Sequence, residues 1–262
     1  MRRFLLAAVL LLSGCAERGE TARLEWVSMG TVAAVQFRGG ETEMRKRVVR
    51  EVRGIFAEIE RLCNAHDGKS ELSSLAGLPD EEILRRASPV VRPCYEAAFK
   101  LRDQTGGRFD PRWKGNGTLD LGAIAKGYAV DLAYEKAKES GLEALIDLGG
   151  NLKAVSGEWR TLIATSSQTL VLTGGMACAT SAEYFRGAHI RDAKSRTRPD
   201  SEVRSVTVAH PSSAMLADAL STAMFVLGRE RGGEFLRRNY PEAKAVWLPR
   251  SPVRTLTECE NR

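Results

Sequence analysis

Apolar positions along this chain change their spacing several times, and each change marks an element. Residues 24–37 alternate loosely and are rich in valine, which predicts a strand broken at Met29-Gly30-Thr31. Over 41–62 the spacing becomes helical. Met44, Val48, Val49, Val52, Ile55, Phe56 and Ile59 share one stripe, predicting an amphipathic helix. Residues 66–77 are polar and turn-forming. Helices are predicted over 81–86 and 90–104, the second with Pro93 near its start and Gly106-Gly107 as its stop. Another runs over 124–139 and ends at Gly141. Short strands follow at 144–147, 161–164, 169–172 and 203–208. Ser212 or Ser213 can cap an apolar helix over 214–227, which Gly228 stops. A last helix at 230–239 precedes a strand at 244–248. Helices and strands mix without regular βαβ alternation, so the expected fold is α+β, a largely antiparallel sheet core flanked by helices.

The N-terminus changes the picture of where the chain works. Arg2 and Arg3 precede an apolar run over 4–12, and Leu12-Ser13-Gly14-Cys15 closes it. That run is too short to span a bilayer and reads as a cleavable signal over 1–14. Leu-Ser-Gly-Cys resembles a bacterial lipobox, which implies cleavage before Cys15, lipid on its thiol, and a periplasmic-side membrane anchor. An ordinary signal peptide with a coincidental cysteine is the alternative. Residues 15–22 then form a polar tether, and 23–262 one functional domain of about 240 residues.

Composition narrows the classes further. Hydrophobic residues make up 43% of the chain, enough for a real core. The net charge of +6 is scattered, and no basic cluster is interleaved with aromatics, which argues against nucleic acid. A mild positive balance suits an anionic ligand such as a dinucleotide. None of the 5 cysteines forms a C-x-x-C pair, which argues against zinc. Cys63 with Cys94 is a conceivable bridge; isolated buried thiols are the plainer reading.

Candidate chemistry starts with Asp218 and Thr222, four residues apart on a helix otherwise built of Met215, Leu216, Ala217, Leu220, Ala223, Met224, Phe225 and Val226. That spacing places both oxygens on one face, a turn apart. A carboxylate amid apolar surface needs a cation or hydrogen bonds, and Mg²⁺ takes a few protein oxygens with phosphates completing its shell. An exposed stripe on an amphipathic helix would give the same spacing. A second stretch runs from Leu119-Asp120-Leu121-Gly122 through Lys126 to Asp131. Gly122 admits close approach of a ligand, the helix start offers free N–H groups, and Lys126 can meet a phosphate; a plain helix start with a surface lysine is the alternative. Neither the P-loop nor the dinucleotide glycine pattern is present. The chain has 3 histidines, His66, His189 and His210, so a general base has few candidates.

Taken in order, Met29-Gly30-Thr31, Ser70-Glu71-Leu72-Ser73, Phe109-Asp110-Pro111, the 120–131 stretch, Ile146 to Asn151, Ala179-Thr180-Ser181, His189 to Asp192, Ser205 to Val208 and Ala217 to Ala223 resemble the ApbE family, whose members are FAD:protein FMN transferases and often lipoproteins. The resemblance implies a Mg²⁺ site of Asp218, Thr222 and the Ala123 carbonyl. It implies FAD held by Met29, Asp110, Asp120, Lys126 and Asp131, with His66 near the flavin ring. It makes His189 or Asp218 the base for an acceptor hydroxyl. The acceptor would be a threonine or serine of a membrane-associated redox subunit, with AMP released. Hydrolysis of FAD to FMN and AMP, and FAD binding without catalysis, are the alternatives. The chain departs from the family pattern in places. Asp192-Ala193-Lys194-Ser195-Arg196 stands where Asp-Pro-x-Thr-Gly is usual, His66 where a tyrosine is, and Ala76 where an asparagine is; the segment between Pro111 and Asp120 is short.

Overall fold

The computed structural model describes residues 21–163, 166–183, 190–199 and 202–250. Strands β1 (Thr21–Ser28) and β2 (Thr31–Arg38) open the fold. They pair antiparallel from Thr21↔Arg38 to Ser28↔Thr31, turning at Met29 (φ 48) and Gly30 (φ 68). Two left-handed residues make the tight turn whose twist suits a hairpin. β1 starts at Thr21, so the last two residues of the expected tether belong to the sheet.

Helices α1 (Thr42–Cys63), α2 (Glu71–Leu75), α3 (Asp80–Arg86), α4 (Arg92–Gln104) and α5 (Ala125–Lys138) follow. The periodicity located four of them to within a few residues. Helix α2 is a correction to the purely turn-forming segment expected at 66–77: Ser70 Oγ accepts the Ser73 amide at 3.1 Å, a short-range cap that starts a helix.

The chain then lays down β3 (Glu143–Leu148), β4 (Asn151–Ala154), β5 (Glu158–Leu162), β6 (Thr169–Thr173), β7 (Ala177–Ala182) and β8 (Val203–His210), then α6 (Ala214–Asn239) and β9 (Lys244–Pro249). Seven strands form one sheet in the order β1-β2-β3-β4-β7-β8-β9, antiparallel throughout, and β5 and β6 form a separate two-stranded ribbon. The α+β expectation holds. Strands β4 and β7 had no sequence signal. β7 reads Ala-Cys-Ala-Thr-Ser-Ala, small residues of little strand preference, and it is a strand because β4 and β8 flank it. Within α6, Gly228 (φ 77, ψ 176) breaks the helical path where the sequence placed a stop between two helices.

The main core lies between one sheet face and helices α1, α4, α5 and α6. A smaller cluster of Leu145, Ala154, Trp159, Leu172, Cys178 and Ala209 fills the space under the β5–β6 ribbon. Cys63, Cys94 and Cys178 are free and buried thiols; Cys15 and Cys259 lie outside the described residues. Among the described residues no helix is long and apolar enough to cross a membrane.

Candidate active site at the α5–α6 junction

The start of α5 is unusual in where its amides go. Asp120 Oδ1 accepts the Gly122 amide at 2.8 Å, making a tight turn; a Cβ at Gly122 would stand 2.9 Å from that oxygen. The Ile124 and Ala125 amides both bond to Leu121 O, at 3.0 and 2.8 Å. In a regular helix the Gly127 amide would then bond to the Ala123 carbonyl. It donates instead to Asp218 Oδ2 at 2.9 Å, across from α6. The Ala123 carbonyl is left with no hydrogen-bond partner among the described residues. Lys126 Nζ curls back to donate to Gly122 O at 2.8 Å and stands 4.0 Å from Asp218 Oδ2.

This diversion needs the two helices to be almost in contact. A Cβ on Gly127 would lie 2.7 Å from Asp218 Cβ and closer still to Ala214 O, so only glycine fits. Asp218 is 6% exposed, and Thr222 follows one turn on, partly exposed. The junction therefore carries three hard oxygens: a buried carboxylate, a hydroxyl and an unpartnered backbone carbonyl. Those donors fit Mg²⁺, which takes oxygen ligands. Among the described residues no three His, Cys, Asp or Glu side chains gather to hold a metal. With a single carboxylate, a divalent ion held there would need an anionic ligand to balance its charge.

Asp131, which the resemblance places on FAD, is engaged within the protein. Its Oδ1 accepts from Ala214 N (2.8 Å) and Lys153 Nζ (2.7 Å), and its Oδ2 from Ser213 Oγ (2.9 Å) and Met215 N (3.0 Å). Its acceptor capacity is taken up by the protein, so Asp131 holds the first turn of α6 onto α5. Lys153, 3% exposed, also donates to Ser212 O at 2.7 Å and lies 4.0 Å from the Tyr134 ring centroid. His210 is structural as well. Its Nδ1 accepts the Ser212 and Ser213 amides at 3.2 and 3.0 Å, and burial lowers its pKa.

Met29 sits in the β1–β2 turn with its amide on Glu60 Oε2 at 3.0 Å. The neighbouring β3–β4 turn presses against it: a Cβ on Gly149 would stand 2.6 Å from Thr31 Cγ2. His66 is exposed just beyond α1, its amide on Asn64 Oδ1 at 2.9 Å, and no described contact joins it to Asp218. His189 lies outside the described residues. Asp110 and Asp120 stand at the two ends of the short 110–120 loop, which closes through Asp120 N to Pro111 O at 2.8 Å. Asp110 Oδ1 accepts the Arg112 amide at 2.8 Å. Asp120 Oδ2 takes Lys114 Nζ at 2.8 Å and Trp113 Nε1 at 3.3 Å. The altered turn at 192–196 packs on this loop: Arg108 pairs with buried Asp192, and the Arg196 guanidinium covers Gly115. Two of the departures from the family pattern, the 192–196 turn and the short loop, thus form one structural unit.

The fold is shared with solved flavin transferases. The Pseudomonas stutzeri flavinyl transferase ApbE superposes with a TM-score of 0.74, covering 90% of this chain and 93% of that one at 23% identity. The Vibrio cholerae flavin transferase ApbE does so at 0.71, covering 88% and 94% at 20% identity. Among curated relatives, the Vibrio cholerae FAD:protein FMN transferase is 26% identical, covering 88% of this chain and 90% of that one. The Klebsiella pneumoniae FAD:protein FMN transferase is 38% identical over 135 residues, covering 46% of this chain and 42% of its own length. The ApbE family model matches residues 112–247, and the chain belongs to that family.

Proposed function

We propose that this chain is a Mg²⁺-dependent FAD:protein FMN transferase that attaches FMN through a phosphoester to a threonine or serine of a redox protein. Family membership and the names of its relatives support the reaction class. One observation supports the site most directly: Asp218 draws the Gly127 amide away from Ala123, opening a carbonyl beside Lys126. Asp218, Thr222 and Ala123 would hold the metal, which supplies charge neutralisation of a diphosphate and polarises it. Lys126 adds a positive charge at the same place, and the α5 N-terminus favours an anion. Asp120 fixes the Gly122 turn, and Lys114 draws that carboxylate toward the short loop.

In the transfer, the acceptor hydroxyl oxygen bonds to the FMN-side phosphorus. The bond from that phosphorus to the bridging oxygen breaks, and AMP leaves with that oxygen. The hydroxyl proton passes to His189 or to Asp218. Mixing the protein with FAD, Mg²⁺ and a peptide bearing an acceptor threonine tests this. Flavin fluorescence fixed covalently on the peptide is the expected result. Free FMN and AMP without peptide labelling would make the chain a hydrolase; intact FAD would make it a binder. Asp218→Ala abolishes either chemistry, and retained activity would remove the metal assignment.

The sequence Leu12-Ser13-Gly14-Cys15 supports anchoring of this domain to the periplasmic side of a membrane through lipid on Cys15. Full-length protein partitions into the membrane fraction and incorporates labelled fatty acid, whereas Cys15→Ala does neither. Equal labelling of the two would end the lipoprotein reading.

A further inference from the structure

Beside the proposed metal oxygens lies a chain of three hydroxyls that the reading above leaves unused. Ser221 is fully buried on α6, and its Oγ is 2.8 Å from the Asp218 carbonyl oxygen. Ser181 is buried on the neighbouring strand β7; its Oγ lies 2.8 Å from Ser221 Oγ and 2.9 Å from Thr222 Oγ1. Each hydroxyl owns one proton and two lone pairs, and a carbonyl only accepts. The direction of every bond in the chain follows from that count. Ser221 must donate to the Asp218 carbonyl, which uses its only proton. The bond between the serines is then donated by Ser181, which uses its proton in turn. The remaining bond must be donated by Thr222. The Thr222 proton therefore points away from the oxygen site toward Ser181, and its two lone pairs are left for the other side.

We infer that Ser181 and Ser221 are positioning residues that lock Thr222 as a lone-pair donor, so that its hydroxyl presents oxygen, not hydrogen, to a divalent cation. This rests on the proposed metal site at Asp218 and Thr222 and deepens it. Neither serine touches the ion. Their part is to anchor the proton direction on a backbone carbonyl, where a rotating hydroxyl would otherwise place its proton toward the incoming cation for part of the time. Such outer partners tune ligand affinity by about 10- to 100-fold in metal sites.

The test measures binding of Mn²⁺, as a spectroscopic stand-in for Mg²⁺, to the full chain with ADP present as the diphosphate probe. Free Mn²⁺ is read by electron paramagnetic resonance. Thr222→Val removes the oxygen while keeping the shape, and it reports on the metal site itself. If Thr222→Val binds Mn²⁺ as tightly as the parent, the metal reading fails and takes this inference with it. If Thr222→Val weakens binding but Ser181→Ala does not, the metal site stands and the hydroxyl chain is refuted. The expected result is that Ser181→Ala weakens Mn²⁺ about tenfold. Ser181→Thr, which keeps the hydroxyl, restores the affinity. Because the chain runs in series, Ser181→Ala/Ser221→Ala binds no more weakly than Ser181→Ala alone; additive losses would argue against a series. In the transfer assay the Ser181→Ala defect appears as a raised Mg²⁺ requirement with kcat recovered at saturating Mg²⁺. A lowered kcat at every Mg²⁺ concentration would overturn the positioning role. Circular dichroism melts on Ser181→Ala and Ser181→Thr separate a folding defect from the binding one.

Discussion

Two aspartates face each other's helices across one interface, and they do opposite things. Asp131, on α5, accepts the Ala214 and Met215 amides of α6. Asp218, on α6, accepts the Gly127 amide of α5. Both interactions place a carboxylate at a helix start, where charge and free N–H groups favour it. The donors available decide the outcome. At α6 no described residue offers a carbonyl in the place the aspartate takes, so Asp131 completes a cap and is itself filled by Lys153 and Ser213. At α5 the amide was the natural partner of the Ala123 carbonyl. Asp218 takes that amide, and the Ala123 carbonyl is left without it among the described residues. One carboxylate completes a cap and the other leaves a backbone oxygen unpaired.

The sharpest way to break the comparison is to push the helices apart. Gly127→Ala puts a methyl 2.7 Å from Asp218 Cβ, against backbone on the other side. Overpacking of this kind costs about 1–3 kcal/mol or more, because backbone cannot move aside as a flexible side chain can. Transfer activity falls below detection, and the melting temperature drops in the same variant. A Gly127→Ala protein with normal activity would show that the close approach is not what builds the site.

The next two substitutions separate the halves. Asp131→Ala leaves Lys153, 3% exposed, without its carboxylate. Breaking one partner of a buried pair costs about 3–5 kcal/mol, so chemical denaturation shows a large loss of stability. Asp218→Asn keeps an oxygen for the Gly127 amide but removes the charge. Its stability changes by about 1 kcal/mol, the scale of one hydrogen bond, while transfer activity is lost. If Asp131→Ala instead unfolded no more easily than the parent, the clamp assignment would have to be given up.

The same contrast explains what the sequence could reveal. Asp218 and Thr222 stand out because they interrupt an apolar run at helical spacing, a local signal. Lys126 and Gly122 stand out because a glycine turn precedes a helix. The role of Asp131 is not local. It depends on Ser213, Ala214, Met215 and Lys153, all more than twenty residues away in sequence. Lys153 lies in a four-residue strand with an apolar, partly polar pattern, where a lysine predicts exposure and tertiary packing buries it. Glu60 holds the Met29 turn from the far end of α1, again without a sequence signal. The break between β1 and β2 was legible because Met29-Gly30-Thr31 interrupts a loosely alternating, valine-rich run; the antiparallel pairing of the two halves was not. Ser181 entered the sequence reading only within a motif; its strand and its contact to Thr222 were hidden, because a strand of alanine, cysteine, threonine and serine shows neither period clearly.

The last effect concerns pH, and it acts on the closed half of the comparison. His210 Nδ1 accepts the Ser212 and Ser213 amides, so the imidazole extends the cap that Asp131 makes on the next two amides. Burial holds its pKa below 6.5, against the opposing pull of the nearby Glu242 and Asp131 carboxylates and with Lys153 adding to the lowering. Nε2 lies 3.3 Å from Glu242 Oε1 without hydrogen-bond geometry, so that contact offsets burial only in part. The folded state therefore binds this proton less readily than the unfolded chain. Stability is fully present above pH 6.5 and falls as the pH drops below it, by up to about 1.4 kcal/mol per pH unit inside the window between the unfolded and folded values. Protonation also supplies Nδ1 with a hydrogen where two amides point, which undoes the cap. Urea midpoints at pH 7.5 and 5.5 measure the loss, and His210→Gln shrinks it. Glu242→Gln removes the carboxylate that raises the pKa, so the folded value falls further and the window widens toward lower pH. A narrower window in Glu242→Gln would mean that the imidazole is governed by that carboxylate in some other way, and that burial at the α6 cap is not what keeps it neutral.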